Sequence, residues 1–544
     1  MNMTEQQAIL EPVGDGVNKW AALFVVVIGT FMVMLDSSIV NIALPKMMNV
    51  FGSDLEAAKW ILTGYTLAMG AVIPITGFLS DTFGIKKLFI VALAIFTLGS
   101  FLCGLAWSNT AMVVFRIIQA LGGGAIMPVG MAYIFSIFPV SERGKALGFW
   151  GIASMSAPAI GPTLGGYIIQ YMDWRFIFYV NVPIGVIGIF FAGILLTKTS
   201  LKTYQGNFDF IGFFSSIIAI VSLLYVLGEG SSIDWGKIQF PLILALGCGS
   251  LLIFIVNELA HPEPLLDLRL FKNYDFTLSQ IITSITMMAI MSGIYMLPLF
   301  LQNLRGYTAM QTGLILLPSA LSSAFMMPIS GALFDKFGAK VVTIPGLLII
   351  AITTYQMSKF SMDTTAATIT LVSTIRGIGL GFSMMPVATA GMNAIPRHLA
   401  GRATALSSTL RSIVQALAIT FITSVISTKS GINYARFTEQ ITPFNHTAGN
   451  ITNLMQGAFM KSGLSQGNAH GSALSTLGRM LYAQAYLDAI NYAIAMTVPA
   501  ALAGIIFVIM MSSKKTTKKR ELEKSSVKEK VLHESETKFA GFVE

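Results

Sequence analysis

The dominant pattern along the chain is a succession of apolar runs separated by short polar connections, each run near the roughly 20 residues that a helix needs to cross a hydrocarbon layer. Fourteen runs can be marked: 20–44, 58–79, 88–107, 110–135, 145–168 and 176–197, then 209–228 and 239–257, then 276–301, 311–334, 341–360, 365–387, 403–427 and 484–511. The pattern predicts an all-α polytopic membrane protein with 14 transmembrane helices, a fold that satisfies every backbone polar group within its own segment. One connection is long: 428–483 is polar, rich in Asn, Gly, Ser and Thr, with an amphipathic stretch near Ile451 to Met460.

Polar positions inside the runs carry the chemistry. Asp36 lies in the middle of the first run, and a carboxylate at that depth costs a few kcal/mol and usually marks a proton relay or a substrate path. A structural hydrogen bond between helices is the alternative. Arg116 in the fourth run needs a carboxylate, carbonyls or water around it; Asp36 is the natural partner, with packing through carbonyls as the other reading. Arg376 and Arg411 repeat the theme later in the chain without an evident partner, and Asp488 stands about one turn inside the last run. The fifth run has a face of small residues including Gly148, Gly151, Gly161, Gly165 and Gly166, which permits close helix contact. Pro158 and Pro162 interrupt its hydrogen-bond ladder and allow a bend.

An internal repeat sets the domain organisation. Gly77, Asp81, Gly84 and Lys86 recur at the same spacing as Gly331, Asp335, Gly338 and Lys340. The copies lie eight runs apart, which divides the chain into a six-helix bundle over 20–200, an inserted pair over 209–257 and a second six-helix bundle over 276–511. A polar segment, 1–19, precedes them and a basic tail, 512–544, follows. Duplicated halves around a central path are a transporter architecture.

Composition and charge narrow the function. With 54% hydrophobic and 11% charged residues and a mean hydropathy of +0.71, the chain does not encode a soluble globular surface. The net charge of +9 is spread over loops and tail rather than gathered in a stripe, so nucleic-acid binding is not indicated. Twelve Lys or Arg residues, among them Lys86, Lys87, Arg143, Lys145, Lys198, Lys202, Arg397 and Arg402, fall in alternate loops against six in the others. The positive-inside rule then places both termini in the cytoplasm, with the basic start of the tail able to rest on anionic lipid. Cys103 and Cys248, the only cysteines, offer no metal-ligand spacing, and no histidine falls inside a run, which removes a histidine proton relay. Gly463-Leu-Ser-Gln-Gly467 has the form of a hydrolase elbow but lacks the strand and helix that such an elbow needs, so no enzyme is read from it. No phosphate-cradling Gly-Lys-Ser/Thr motif is present, which leaves an ion gradient as the energy source.

Four stretches together resemble one family. Leu35-Asp36 through Asn41-Ile42-Ala43-Leu44-Pro45, Gly77 to Lys87, Ala159-Ile160-Gly161-Pro162-Thr163-Leu164-Gly165-Gly166, and Asp173-Trp174-Arg175 through Asn181-Val-Pro183-Ile-Gly185 are similar to motifs of the fourteen-helix drug:proton antiporter family of the major facilitator superfamily, the EmrB/QacA group. Thr82 stands where that family usually has a basic residue, and Ala120 where it usually has glycine. The resemblance implies proton coupling at Asp36 and Arg116. It implies a conformational latch built from Gly77, Asp81, Gly84, Lys86, Asp335 and Lys340, and an antiporter motif at Gly161, Pro162, Gly165 and Gly166. Arg376, Arg411 and Asp488 are the polar candidates for substrate contact. No cofactor and no metal are implied. The implied partners are a small lipophilic substrate, protons and membrane lipids, for a monomer in the cytoplasmic membrane, joined by a periplasmic adaptor in a two-membrane cell. An exporter of an endogenous lipid or metabolite is the alternative function.

Overall fold

The computed structural model describes residues 18–197, 209–229, 236–262, 264–396, 399–441 and 445–511. The amino-terminal segment 1–17, the tail from 512 and the loop residues Lys198, Lys202 and Arg397 lie outside the described residues. The long helices are α1 (Lys19–Phe51), α2 (Ala57–Phe83), α3 (Ile85–Gly104), α4 (Asn109–Ile137), α5 (Arg143–Tyr171), α6 (Phe176–Leu195), α7 (Phe210–Glu229) and α8 (Gln239–Ala260). They continue as α9 (Tyr274–Leu304), α10 (Ala309–Phe337), α11 (Ala339–Met357), α12 (Ala366–Asn393), α13 (Ala400–Glu439), a shorter α14 (His446–Lys461), and α15 (Gln466–Met510).

Local chemistry sets many of the helix ends. Asn18, Asp54, Ser108, Asn273, Thr308 and Thr365 each accept a backbone N–H of the first turn they precede, as N-cap residues do. Gly84 and Gly338 sit at φ 82° and 84°, a region closed to most side chains. There they turn α2 into α3 and α10 into α11, so the duplicated glycines of the sequence are duplicated corners.

Thirteen of the helices are long and apolar enough to span a membrane. The fourteenth expected span, α5, is 29 residues long but falls short in apolarity, because small and polar residues replace the large aliphatic ones. Its neighbours explain this. One side packs against α1 and the other against α10, and small residues are what let three backbones approach.

The long polar connection is helical rather than a loop. α13 runs on to Glu439, α14 contains the expected amphipathic stretch, and α15 begins at Gln466. Asp488 is therefore about six turns into α15 rather than one. His470 lies on the early, projecting part of the same helix, facing Gln456 Oε1 through its Nδ1 at 3.2 Å.

The apolar core has three parts. One gathers Phe89, Phe135 and Phe138 with Met385, Met392, Ile395 and Leu406, and so joins the two halves of the chain at the end that carries Lys86, Arg143 and Arg402, called here the basic end. The other two are each built within one half, one by α9–α13 and α15 and the other by α1–α6. The halves are thus welded at the basic end. Of the inserted pair, α7 packs on α8 and also touches α2 and α13, with Thr420 Oγ1 donating to Leu227 O at 2.6 Å.

Candidate functional site

Asp36 and Arg116 meet. They are each 1% exposed, and Arg116 Nη1 donates to Asp36 Oδ2 at 2.5 Å. Burial of two charges is tolerable only where further hydrogen bonds complete their shells, and here they do. The other carboxylate oxygen, Oδ1, accepts from Gln119 Nε2 and from Asn181 Nδ2, both at 2.9 Å. Gln119 lies one turn beyond Arg116 on α4 and closes the ring by accepting from Arg116 Nη1 at 2.6 Å. Asn181 also donates to Ser100 Oγ at 3.0 Å, and Ser100 donates to Phe178 O at 2.9 Å. The ring of Tyr65, on α2, lies 3.8 Å from Arg116 Cζ, close enough for a cation–π contact. Five helices, α1, α2, α3, α4 and α6, thus converge on one carboxylate.

The proline-bearing stretch of α5 touches α1 two residues from that carboxylate. Pro162 has no N–H to give to the carbonyl of Pro158, and Ser38 Oγ supplies the missing donor at 3.0 Å. Gly161 lies directly against Ser38, and Gly165 against Ile39. Gly166 faces the other neighbour: a Cβ there would stand 3.6 Å from Met310 of α10. Pro162 itself packs near Gly313.

At the basic end the duplicated aspartates bridge the halves in two ways. Asp81 on α2 accepts from Arg402 Nε of α13 at 3.0 Å, and Gly77 lies against the Arg402 backbone. Asp335 on α10 accepts the backbone N–H groups of Gly144 and Lys145 at 3.2 and 3.1 Å. These are first-turn donors of α5, where a carboxylate also meets the positive end of the helix dipole. Arg143 adds a third link, donating from Nη1 to Asn393 Oδ1 at 2.9 Å.

Not all of the expected latch crosses between halves. Lys86 donates to Gly193 O of α6 and Lys340 to Ile509 O of α15, both at 2.7 Å. Each lysine therefore caps a helix C-terminus within its own half, a favoured place for a cation. Gly84 is a corner within its half as well. Only Asp81 and Asp335, with Gly77 beside the first, belong to the interface.

The remaining candidates stand apart from Asp36. Arg376 on α12 is buried against α9, its Nη2 donating to Ala289 O at 2.6 Å. Arg411 on α13 is half-buried, and Asp488 accepts from Gln484 Nε2 at 2.9 Å. Gln119, Asn181, Ser100 and Tyr65 are the site residues that sequence reasoning did not single out. Asn181 lies in one of the recognised stretches and Gln119 stands three residues after Arg116, but a neutral amide in a span has several ordinary uses, and nothing local tells which one applies.

The comparisons with known proteins agree with this architecture. A family model described as Major Facilitator Superfamily matches residues 26–419. The chain is 37% identical over 517 residues to the MFS-type transporter YhcA of Bacillus subtilis strain 168, covering 94% of this chain and 96% of the relative. It is 29% identical over 420 residues to the multidrug export protein EmrB of Haemophilus influenzae, covering 77% and 82%. The solved structure of the proton:xylose symporter XylE shares the fold with a TM-score of 0.57 at 13% identity, covering 90% of this chain and 95% of that one. A transporter fold, fourteen long helices and a carboxylate–guanidinium pair held at membrane depth come together in one conclusion: the chain belongs to the Major Facilitator Superfamily, among its EmrB/QacA-type members.

Proposed function

We propose that the protein is a proton-coupled antiporter that exports lipophilic toxic compounds across the cytoplasmic membrane, with the basic end and both termini on the cytoplasmic side. The observation that carries this reading is the Asp36–Arg116 pair, a titratable group sealed from bulk water yet wired into five helices. The relative EmrB is a multidrug export protein, which supports the same direction of transport.

On this reading the structure is the outward-facing member of the cycle, because the bridges Asp81–Arg402, Asp335–Gly144 and Arg143–Asn393 close the cytoplasmic end. A carboxylate that loses its cation at membrane depth is costly unless it takes up a proton. Arrival of a proton on Asp36 from outside frees Arg116, loosens the ring through Gln119 and Asn181, and lets α1 move on α5 at the Ser38–Gly161 contact. Opening of the aspartate bridges then exposes the site to the cytoplasm, where the proton leaves and substrate enters. Arg116 returning to Asp36 resets the cycle.

The test is accumulation of a fluorescent zwitterionic drug in proteoliposomes under an imposed pH gradient. Accumulation that vanishes when an ionophore collapses the gradient is the expected result; accumulation indifferent to the gradient contradicts proton coupling.

A further inference from the structure

The two halves treat corresponding arginines differently. In the first half Arg116 of α4 meets the carboxylate of Asp36 on α1. In the second half Arg376 of α12 approaches α9, the helix in the corresponding place, but finds Gly293, where any Cβ would overlap its Nη1. Arg376 is 3% exposed. Its Nη2 reaches Ala289 O at 2.6 Å, with Ile290 O and Ser292 Oγ at 3.4 Å, and its Nε has no partner. Arg411 of α13 forms no hydrogen bond or ion pair among the described residues.

Both cations lie deep. Arg376 is ten residues into α12 and Arg411 eleven residues into α13, which at about 1.5 Å per residue is roughly 15 and 17 Å from opposite ends, near the middle of a layer about 30 Å thick. The second-half carboxylates are elsewhere. Asp275 is in the first turn of α9, Asp363 is in the connection between α11 and α12, Glu439 ends α13, and Asp335 is committed to α5. Asp488 is 22 residues from the basic end of α15, about 33 Å away. In the first half the charge of Asp36 is cancelled by Arg116. Among the described residues, two guanidinium groups therefore stand at mid-depth without a counter-charge, an arrangement that ordinarily requires a partner. Arg411 lies on a helix that touches both halves, and Gln415, one turn on, is exposed. An exposed amide at this depth belongs to a water-filled space rather than to lipid.

We infer that Arg411 is the recognition site for a lipophilic monoanion, an apolar body carrying one carboxylate or phosphate head group. The planar fork of a guanidinium suits both groups. This inference rests on the exporter reading above and names the substrate class for it. The bound anion supplies the counter-charge that Arg411 lacks among the described residues.

The experiment is a calorimetric titration of the purified protein in phosphatidylcholine nanodiscs with dodecanoate and with dodecyltrimethylammonium, matched in chain length and opposite in charge. Dodecanoate binds more tightly, and Arg411→Gln weakens it about 10- to 100-fold, the weight of a charge-assisted hydrogen bond or two, while binding of the cation is undiminished. Arg411→Lys restores part of the loss. Phosphatidylglycerol added to the discs tells the two head groups apart: competition with dodecanoate assigns the site to a lipid phosphate, and no competition assigns it to a free carboxylate. Equal or tighter binding of the cation by the unaltered protein overturns the inference, as does an Arg411→Gln variant with undiminished dodecanoate affinity. If that variant does not fold, the charge preference of the unaltered protein decides. Gradient-driven drug accumulation by the same preparation tests the exporter reading separately, since it can fail while anion binding stands, or stand while anion binding fails.

Discussion

Replacing Gly161 with leucine is the sharpest perturbation of the contact between α5 and α1. A Cβ at 161 would stand 2.5 Å from Ser38 Cβ and nearer still to its Oγ, so the helices must part before the rest of the side chain is placed. Overpacking of this kind costs about 1–3 kcal/mol. Displacing Ser38 also removes the donor to Pro158 O, and the proline at 162 offers no replacement, which adds about 1–3 kcal/mol for an orphaned carbonyl. The middle of the combined range, about 4 kcal/mol, is roughly a thousandfold shift against the arrangement in which α1 and α5 touch. Because Ser38 is two residues from Asp36, the parted helices open the carboxylate to water. The expected result is a proton leak without substrate, read from a pH dye trapped in proteoliposomes. Gly161→Ala should leak less, and Ser38→Gly in the Gly161→Ala background should tighten the vesicles only in part, because removing the opposing side chain restores the space but not the donor to Pro158 O. Tight, normally coupled vesicles carrying Gly161→Leu would refute the reasoning.

Arg116→Ala should abolish gradient-driven accumulation and Arg116→Lys restore only part of it, because a point charge cannot hold Asp36 and Gln119 in the same plane; a fully active Ala variant would reduce the arginine to a packing feature. Asp81→Ala and Arg402→Ala should each slow turnover more than they weaken drug binding. The double variant should add little, since both remove one partly exposed pair worth about 1 kcal/mol; unchanged turnover with weakened binding would argue against a gate. Lys86→Met and Lys340→Met, which uncap helices within a half, should lower thermal stability by about 0.5 kcal/mol each and leave the turnover ratio between opposite gradients unaltered.

Charge at membrane depth is what made the sequence readable. Asp36 and Arg116 are each too costly to stand alone, so their pairing could be expected before any coordinates, and the repeat around Gly77 and Gly331 marked two corners and two bridging aspartates. Spacing alone does not say across which interface a side chain reaches. Lys86 and Lys340 share the repeat with the aspartates, yet they turn inward to Gly193 and Ile509 of their own halves. The amphipathic stretch of α14 was legible, but the polar extensions of α13 and α15 within 428–483 were hidden because they carry no apolar run. Asn181 and Ser100 were hidden for another reason: their role depends on α3 and α6 meeting at Asp36, a tertiary fact with no local signature. The unpaired state of Arg376 is of the same kind, since it depends on a glycine of a different helix.

The proposed cycle places the proton exchanged for substrate on Asp36. Its most direct test is the proton release that accompanies substrate binding to the detergent-solubilised protein in weakly buffered solution, measured with a pH indicator for the unaltered chain and for Asp36→Asn. The amide can still accept from Arg116, so the variant is expected to fold and to bind. Substrate is expected to drive protons off the unaltered protein and none off Asp36→Asn at equal occupancy; release of the same number of protons by the variant would place the exchanged proton on another residue.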